Sequence, residues 1–155
     1  SPNNGTRAYF HKYGQTADDH RTFMSSGQIV TDATMQYDAT TAYSWKMSPT
    51  SATLYTATYP MILTLRGIAL AANVTKTIGF WMRRNNTGLT MKLVCKGGQL
   101  AGIANDVTSS MTAAADTWEL VSITLTPTEK GAVELEVHAY GGATYNGWVS
   151  KMEVA

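Results

Sequence analysis

The sequence predicts an all-β fold, a two-sheet antiparallel β-sandwich, on three observations. Apolar and polar residues alternate at period two in run after run, which puts every second side chain on one face of a strand. The runs are separated at short intervals by Gly, Pro, Asn and Ser clusters, the residues that chain reversals demand. No stretch carries a sustained helical stripe with caps, and Thr112 to Asp116 is too short to be more than a turn.

In chain order, residues 1–25 come first and keep no period, with Tyr9, Phe10, His11, Tyr13, Asp18, Asp19 and His20 scattered among them. They read as an N-terminal arm or an irregular first strand, and residues 26–155 as the sandwich domain. Tyr43, Trp45 and Met47 then alternate with Ser44 and Lys46, and Met61, Leu63 and Leu65 with Ile62, Thr64 and Arg66. Thr75 to Arg84 sets Ile78, Phe80 and Met82 on one face and Thr77, Gly79, Trp81 and Arg83 on the other. The Asn85-Asn86-Thr87-Gly88 turn leads at once into Leu89 to Cys95, so these two runs read as a hairpin. Val121, Ile123 and Leu125 follow, then a turn from Pro127 to Gly131. Next come Val133, Leu135, Val137 and Ala139, with Glu134, Glu136, His138 and Tyr140 on the opposite face. A last strand from Trp148 to Val154 turns Met152 and Val154 inward, and the Gly97-Gly98 and Gly141-Gly142 pairs read as hairpin glycines.

The 155 residues suit one domain with a proper core. Lys and Arg total 12 against 11 Asp and Glu, a formal charge of +1. Such a chain has no broad field to attract phosphate backbones, so nucleic acid is not an expected partner. Apolar runs are broken every few residues, far short of the roughly 20 that a membrane helix needs, and no membrane insertion is expected. Cys95 is the single cysteine, which rules out an internal disulfide and a cysteine-rich zinc site. Its place in an alternating run reads as a buried strand thiol.

The strings Ala42-Tyr43-Ser44-Trp45-Lys46-Met47 and Ile78-Gly79-Phe80-Trp81-Met82-Arg83 resemble the galactose-binding-like jelly roll of carbohydrate-binding modules. Trp118-Glu119-Leu120-Val121-Ser122-Ile123-Thr124-Leu125-Thr126-Pro127-Thr128, followed by Gly131 and Val133 to Val137, carries the resemblance furthest. In that family a Trp opens a strand, Pro and Gly shape a turn, and a second strand follows. The likeness spans roughly Gly27 to Val154, and it implies a jelly roll. The segment Met91 to Gly98, with Ala101-Gly102-Ile103 and Asp106-Val107-Thr108, also resembles domains on the virion surface of tailed bacteriophages. Modules of the family often hold a structural calcium with acidic residues just before the last apolar pair. Here Ser150-Lys151 stands there instead, which leaves Asp32 and Asp38 as the remaining calcium ligands to consider.

Catalytic chemistry is thin. A glycosidase wants two carboxyl groups flanking a bond, and the only such pair is Glu134 and Glu136, about 7 Å apart along one strand face. Alternating glutamates on a solvated strand are ordinarily a solubilising device. Asp18-Asp19-His20 are adjacent and point in different directions, and His11, His20 and His138 lack metal-ligand spacing. No catalytic residue, cofactor or metal is therefore assigned. Aromatic rings beside hydrogen-bonding side chains are the remaining functional material, because sugars offer C–H faces to flat rings and hydroxyls to polar groups. The candidate glycan face is Trp81 with Arg83, joined by Lys92, His138, Tyr140, Tyr145 and Trp148. Trp45 and Trp118 read as core or strand-start packing.

Two functional readings follow. In the first, the chain is a non-catalytic virion-surface domain, a capsid decoration docked on capsid or other virion proteins and on copies of itself, with glycan adhesion as a further role. In the second, it is a carbohydrate-binding module of an extracellular polysaccharide-active protein.

Overall fold

The alternating runs become strands in a computed structural model that describes residues 7–11, 16–21, 27–49, 55–99, 101–142 and 144–155. In chain order these are β1 (Arg7–His11), β2 (Thr16–Arg21), β3 (Gly27–Asp32), β4 (Ser44–Pro49), β5 (Met61–Leu70) and β6 (Lys76–Arg84). They continue as β7 (Thr90–Cys95), β8 (Val107–Ser110), β9 (Glu119–Leu125), β10 (Gly131–Tyr140) and β11 (Gly147–Val154). No helix forms among the described residues. One sheet has six strands in the order β2-β1-β5-β10-β7-β8, and the other has five in the order β3-β4-β11-β6-β9. Every pairing is antiparallel except β1 with β5, which is parallel. Within residues 1–25, the described stretches are β1 and β2, at one edge of the six-stranded sheet; Tyr13 lies outside the described residues.

The two inner faces make one core. Ile29, Trp45, Met47, Ile78, Phe80, Met82, Val121, Ile123 and Val149 from the five-stranded sheet meet Met61, Leu63, Leu65, Met91, Leu93, Cys95, Leu135 and Val137 from the other. Every second residue is buried along β9 and β10 and over Ile78, Phe80 and Met82 of β6, as the alternation requires. Cys95 is fully buried, and burial pushes its thiol pKa upward because the charged thiolate would lose its hydration.

The expected hairpin of Thr75 to Arg84 with Leu89 to Cys95 is corrected. β6 and β7 lie in opposite sheets. Both sides of each strand are already occupied: β6 pairs with β11 and β9, and β7 with β10 and β8. The crossing is pinned by Arg84, buried at the end of β6, which donates to the Leu89 carbonyl at 2.8 Å and the Ala113 carbonyl at 3.0 Å. Gly141-Gly142 likewise lies on a crossing between sheets, from β10 to β11, and Gly97-Gly98 alone lies between paired strands, β7 and β8.

At the last strand a register shift between Val149 and Met152 inserts an extra residue. Val149 opposes Met82 and Met152 opposes Phe80, so both face the core although they are three positions apart. Met152 packs on the core, but Val154, past its end, is 46% exposed.

Candidate functional site

The alternation that buries half of β10 turns its other half outward, and the sheet register decides what stands beside it. His138 opposes Ile62 of β5 and Lys92 of β7, and Lys92 opposes Ser110 of β8. One row along, Glu136 opposes Thr64 and Val94, and Val94 opposes Thr108. Over these rows opens a cleft of about 390 Å³, bounded by the loop before β5 on one side and by Lys96 and Asp106 on the other. A second depression of about 440 Å³ adjoins it, shares Lys96 and Glu136, and reaches Gln99 and Glu134. Together they form a trough across the outer face of the six-stranded sheet.

The trough is lined by paired polar groups. His138 Nε2 stands 2.8 Å from Glu136 Oε1, with both side chains largely buried. Lys96 Nζ donates to Asp106 Oδ2 at 3.1 Å, and the Gly97 N–H donates to Asp106 Oδ1 at 2.8 Å. That backbone N–H first, and the Lys96 ammonium next, hold the Asp106 carboxyl below its usual pKa. Gly97 has no side chain for a reason: a Cβ there would lie 2.6 Å from the Ala104 carbonyl oxygen. Gln99 ties the far end to β10 by a reciprocal pair, accepting from the Glu134 N–H at 2.8 Å and donating to the Glu134 carbonyl at 3.0 Å. Lys92 carries its ammonium 6.0 Å from the centroid of the Tyr140 ring, a cation–π distance.

Trp81, Arg83 and Trp148 stand on the other sheet. The loop from β3 to β4 folds over this face and stacks Tyr37 on Trp81, with centroids 3.8 Å apart and planes 8° from parallel. Trp118 meets Tyr37 edge-on at 6.0 Å. It stands at the start of β9 but is only partly buried, so the core reading holds for Trp45 and not for Trp118. The Trp81 indole N–H donates to Glu153 at 3.3 Å, and Arg83 faces Asp116 at 3.6 Å. Trp148 is buried, donates to Asp32 at 2.9 Å, and has the Lys46 ammonium 6.0 Å from its ring. Tyr145 sits at one end of the sandwich, its ring against Gly88 and Gly142, where a Cβ on Gly142 would come within 2.2 Å of it.

The seven candidate residues therefore divide: Lys92, His138 and Tyr140 share the six-stranded sheet's outer face, Trp81, Arg83 and Trp148 the opposite one, and Tyr145 an end. Tyr37 and Asp106 were not among them. Each lies in a loop, where no period indicates the direction of a side chain.

Asp32 and Asp38 are engaged as turn caps. Asp32 accepts from the Thr34 N–H and hydroxyl and from Trp148, and Asp38 from the Thr40 N–H and hydroxyl. Lys151 extends its ammonium between Asp38, at 3.3 Å, and Glu153, at 3.4 Å, the position a cation shared by those carboxylates would need. Among the described residues no three His, Cys, Asp or Glu side chains converge as metal ligands.

The Thr34 hydroxyl at Asp32 and the Thr40 hydroxyl at Asp38 are the largest causes that hold both carboxyls below their usual pKa. A depressed folded value means that the stabilisation is present above the unfolded pKa of about 3.9 and is lost as pH falls through the folded one. Acidification below about pH 4 is accordingly expected to loosen the β3–β4 loop and unstack Tyr37 from Trp81. A tryptophan emission change that precedes global unfolding checks this, and its absence in Asp38→Asn assigns it to that cap.

No protein-family model matches the chain, and no curated protein matches it. Among solved structures, the chain is similar to the carbohydrate-binding module TmCBM61 in complex with β-1,4-galactotriose, at a TM-score of 0.61 and 14% identity, over 84% of this chain and 81% of that one. It is similar to tailspike protein 4 of bacteriophage CBA120, at 0.58 and 14% identity, over 83% of this chain but only 18% of that one. A protein from Bacteroides thetaiotaomicron matches at 0.52 and 11% identity, over 83% of this chain and 81% of that one. The fold is the jelly-roll sandwich of carbohydrate-binding modules, which also occurs within a phage tailspike.

Proposed function

We propose that this chain is a non-catalytic carbohydrate-binding domain that holds a stretch of polysaccharide in the trough on the outer face of its six-stranded sheet. The observation that carries this reading is the convergence of Lys92 from β7, Lys96 and Asp106 from the β7–β8 loop, and Glu136 and His138 from β10 on one elongated cleft. Their alternating donors and acceptors match the hydroxyl groups of a sugar. A trough of two joined depressions fits several consecutive sugar units better than a single terminal one. The fold's likeness to a module solved with a galactotriose supports glycan as the ligand class. Such a domain acts outside the cell.

Native gels cast with soluble polysaccharides test it. Retardation by at least one polymer is expected, and Glu136→Ala is expected to weaken it by about 10- to 100-fold, the cost of losing a charged hydrogen-bond partner of about 1.5–3 kcal/mol. Free migration on every polymer, or retardation unchanged in a folded Glu136→Ala, overturns the reading.

A second placement is favoured by the tailspike likeness. On a virion surface, docked on capsid or tail proteins and on copies of itself, the same trough would serve as an adhesion site. Light scattering that returns a trimer supports this placement, and a monomer favours the free module.

A further inference from the structure

We infer that the trough selects an acidic glycan, one whose sugar units carry a single negative charge such as the carboxylate of a hexuronate, and that Lys92 is the residue that reads this charge. The inference rests on the proposed trough and concerns only the kind of glycan that it takes. It comes from following each charged group of the cleft to its partner. Lys96 is bonded to Asp106 at 3.1 Å, and Glu136 lies 2.8 Å from His138. Those two pairs are closed. Lys92, on the floor of the cleft between His138 of β10 and Ser110 of β8, is the cleft cation that meets no carboxylate among the described residues. Its ammonium is directed instead over the Tyr140 ring.

Lys46, on the other sheet, is placed in the same way over Trp148, whereas three further described cations have protein partners. Arg83 faces Asp116, Lys151 faces Asp38 and Glu153, and Arg84 is spent on two carbonyls. A half-buried ammonium is worth little to the fold when it has no counter-ion, because it gives up hydration without a pair to offset it. An incoming carboxylate would supply that pair, in a recess where a charge-assisted hydrogen bond is screened less than on an open surface. Glu136 and Asp106 flank the position and oppose a more densely charged group such as a phosphate dianion. A formal charge of only +1 over the chain gives little general attraction to polyanions, so a preference for acid must arise locally.

Polygalacturonate and its fully methyl-esterified form differ in that charge and in the ester methyl that replaces it, and make the matched pair of probes. The native protein is expected to bind the acid form at least tenfold more tightly and to lose most of that margin as salt rises from about 50 to 500 mM. Lys92→Met is expected to remove the margin between acid and ester, and Lys92→Arg to keep most of it. Equal affinity for acid and ester, or an acid preference that survives in Lys92→Met, overturns the assignment and leaves glycan binding in the trough standing. Failure to bind these two and every neutral polymer of the gel panel overturns both.

Discussion

Phe80→Ala is expected to destabilise the folded chain by about 3–5 kcal/mol, the cost of emptying a large aromatic site in a packed interior. Phe80 is 1% exposed at the middle of β6, with Val121 of β9 on one side and Met152 of β11 on the other. Its neighbours belong to three strands held by two ladders, so they cannot close the space without breaking register. Against a total of about 5–15 kcal/mol for an ordinary domain, the loss removes roughly a fifth or more of the stability. The melting temperature is expected to fall by roughly 6–20 °C, taking about 2–4 °C per kcal/mol for a chain of this size. Urea unfolding followed by tryptophan emission measures it. Phe80→Leu recovers part of the loss by refilling part of the volume. Thr124→Ala, which deletes only an outward hydroxyl bonded to Thr77, stays within about 0.5 kcal/mol. A loss below about 1 kcal/mol for Phe80→Ala would be incompatible with a core centred on β6.

The reason Phe80 could be placed from the sequence is that period two is a local signal: Ile78, Phe80 and Met82 share a face whatever the strand pairs with. The same logic found the inner faces of β4, β5, β7, β9 and β10 and the outward set Glu134, Glu136, His138 and Tyr140. What period two does not encode is which strand lies alongside. The Asn85–Gly88 turn has hairpin composition, yet β6 and β7 separate into two sheets because each finds both of its partners elsewhere. Arg84, which ends one buried run and starts a crossing, carries no mark in the sequence of being buried. That is also why the candidate site was read as one face. Lys92 and Trp81 are both outward residues of adjacent runs, and in a hairpin they would have been neighbours. With the runs in opposite sheets they point away from each other. Tyr37 was out of reach for another reason: it sits in the non-periodic stretch between β3 and β4, where the Asp32 and Asp38 caps and a bond from its own N–H to Ser150 of β11 place the ring.

Trp81→Ala is expected to cost about 2–3 kcal/mol of stability and to leave glycan retention within twofold of the native protein. The ring is an attractive sugar platform in isolation, outward on its strand and next to Arg83. In the fold one of its faces is taken by Tyr37 at 3.8 Å, and its N–H is given to Glu153. A sugar that stacked there would have to displace Tyr37, giving up an aromatic pair worth about 0.5–1.5 kcal/mol beyond its buried area and opening the cap built on Asp38. Trp81 therefore serves to hold the β3–β4 loop against β6 and β11. Tyr37→Ala removes the same stack from the other side and is expected to reproduce the Trp81→Ala loss of stability, again without touching retention. Glu136→Ala should show the converse balance, weakened retention with a smaller loss of stability than Trp81→Ala, because its carboxylate lines the cleft beside His138. Two variants that separate in opposite directions on two measurements assign one sheet to structure and the other to binding. If retention instead disappears in a folded Trp81→Ala and survives in Glu136→Ala, the glycan lies on the five-stranded sheet, and Tyr37 is the residue it displaces.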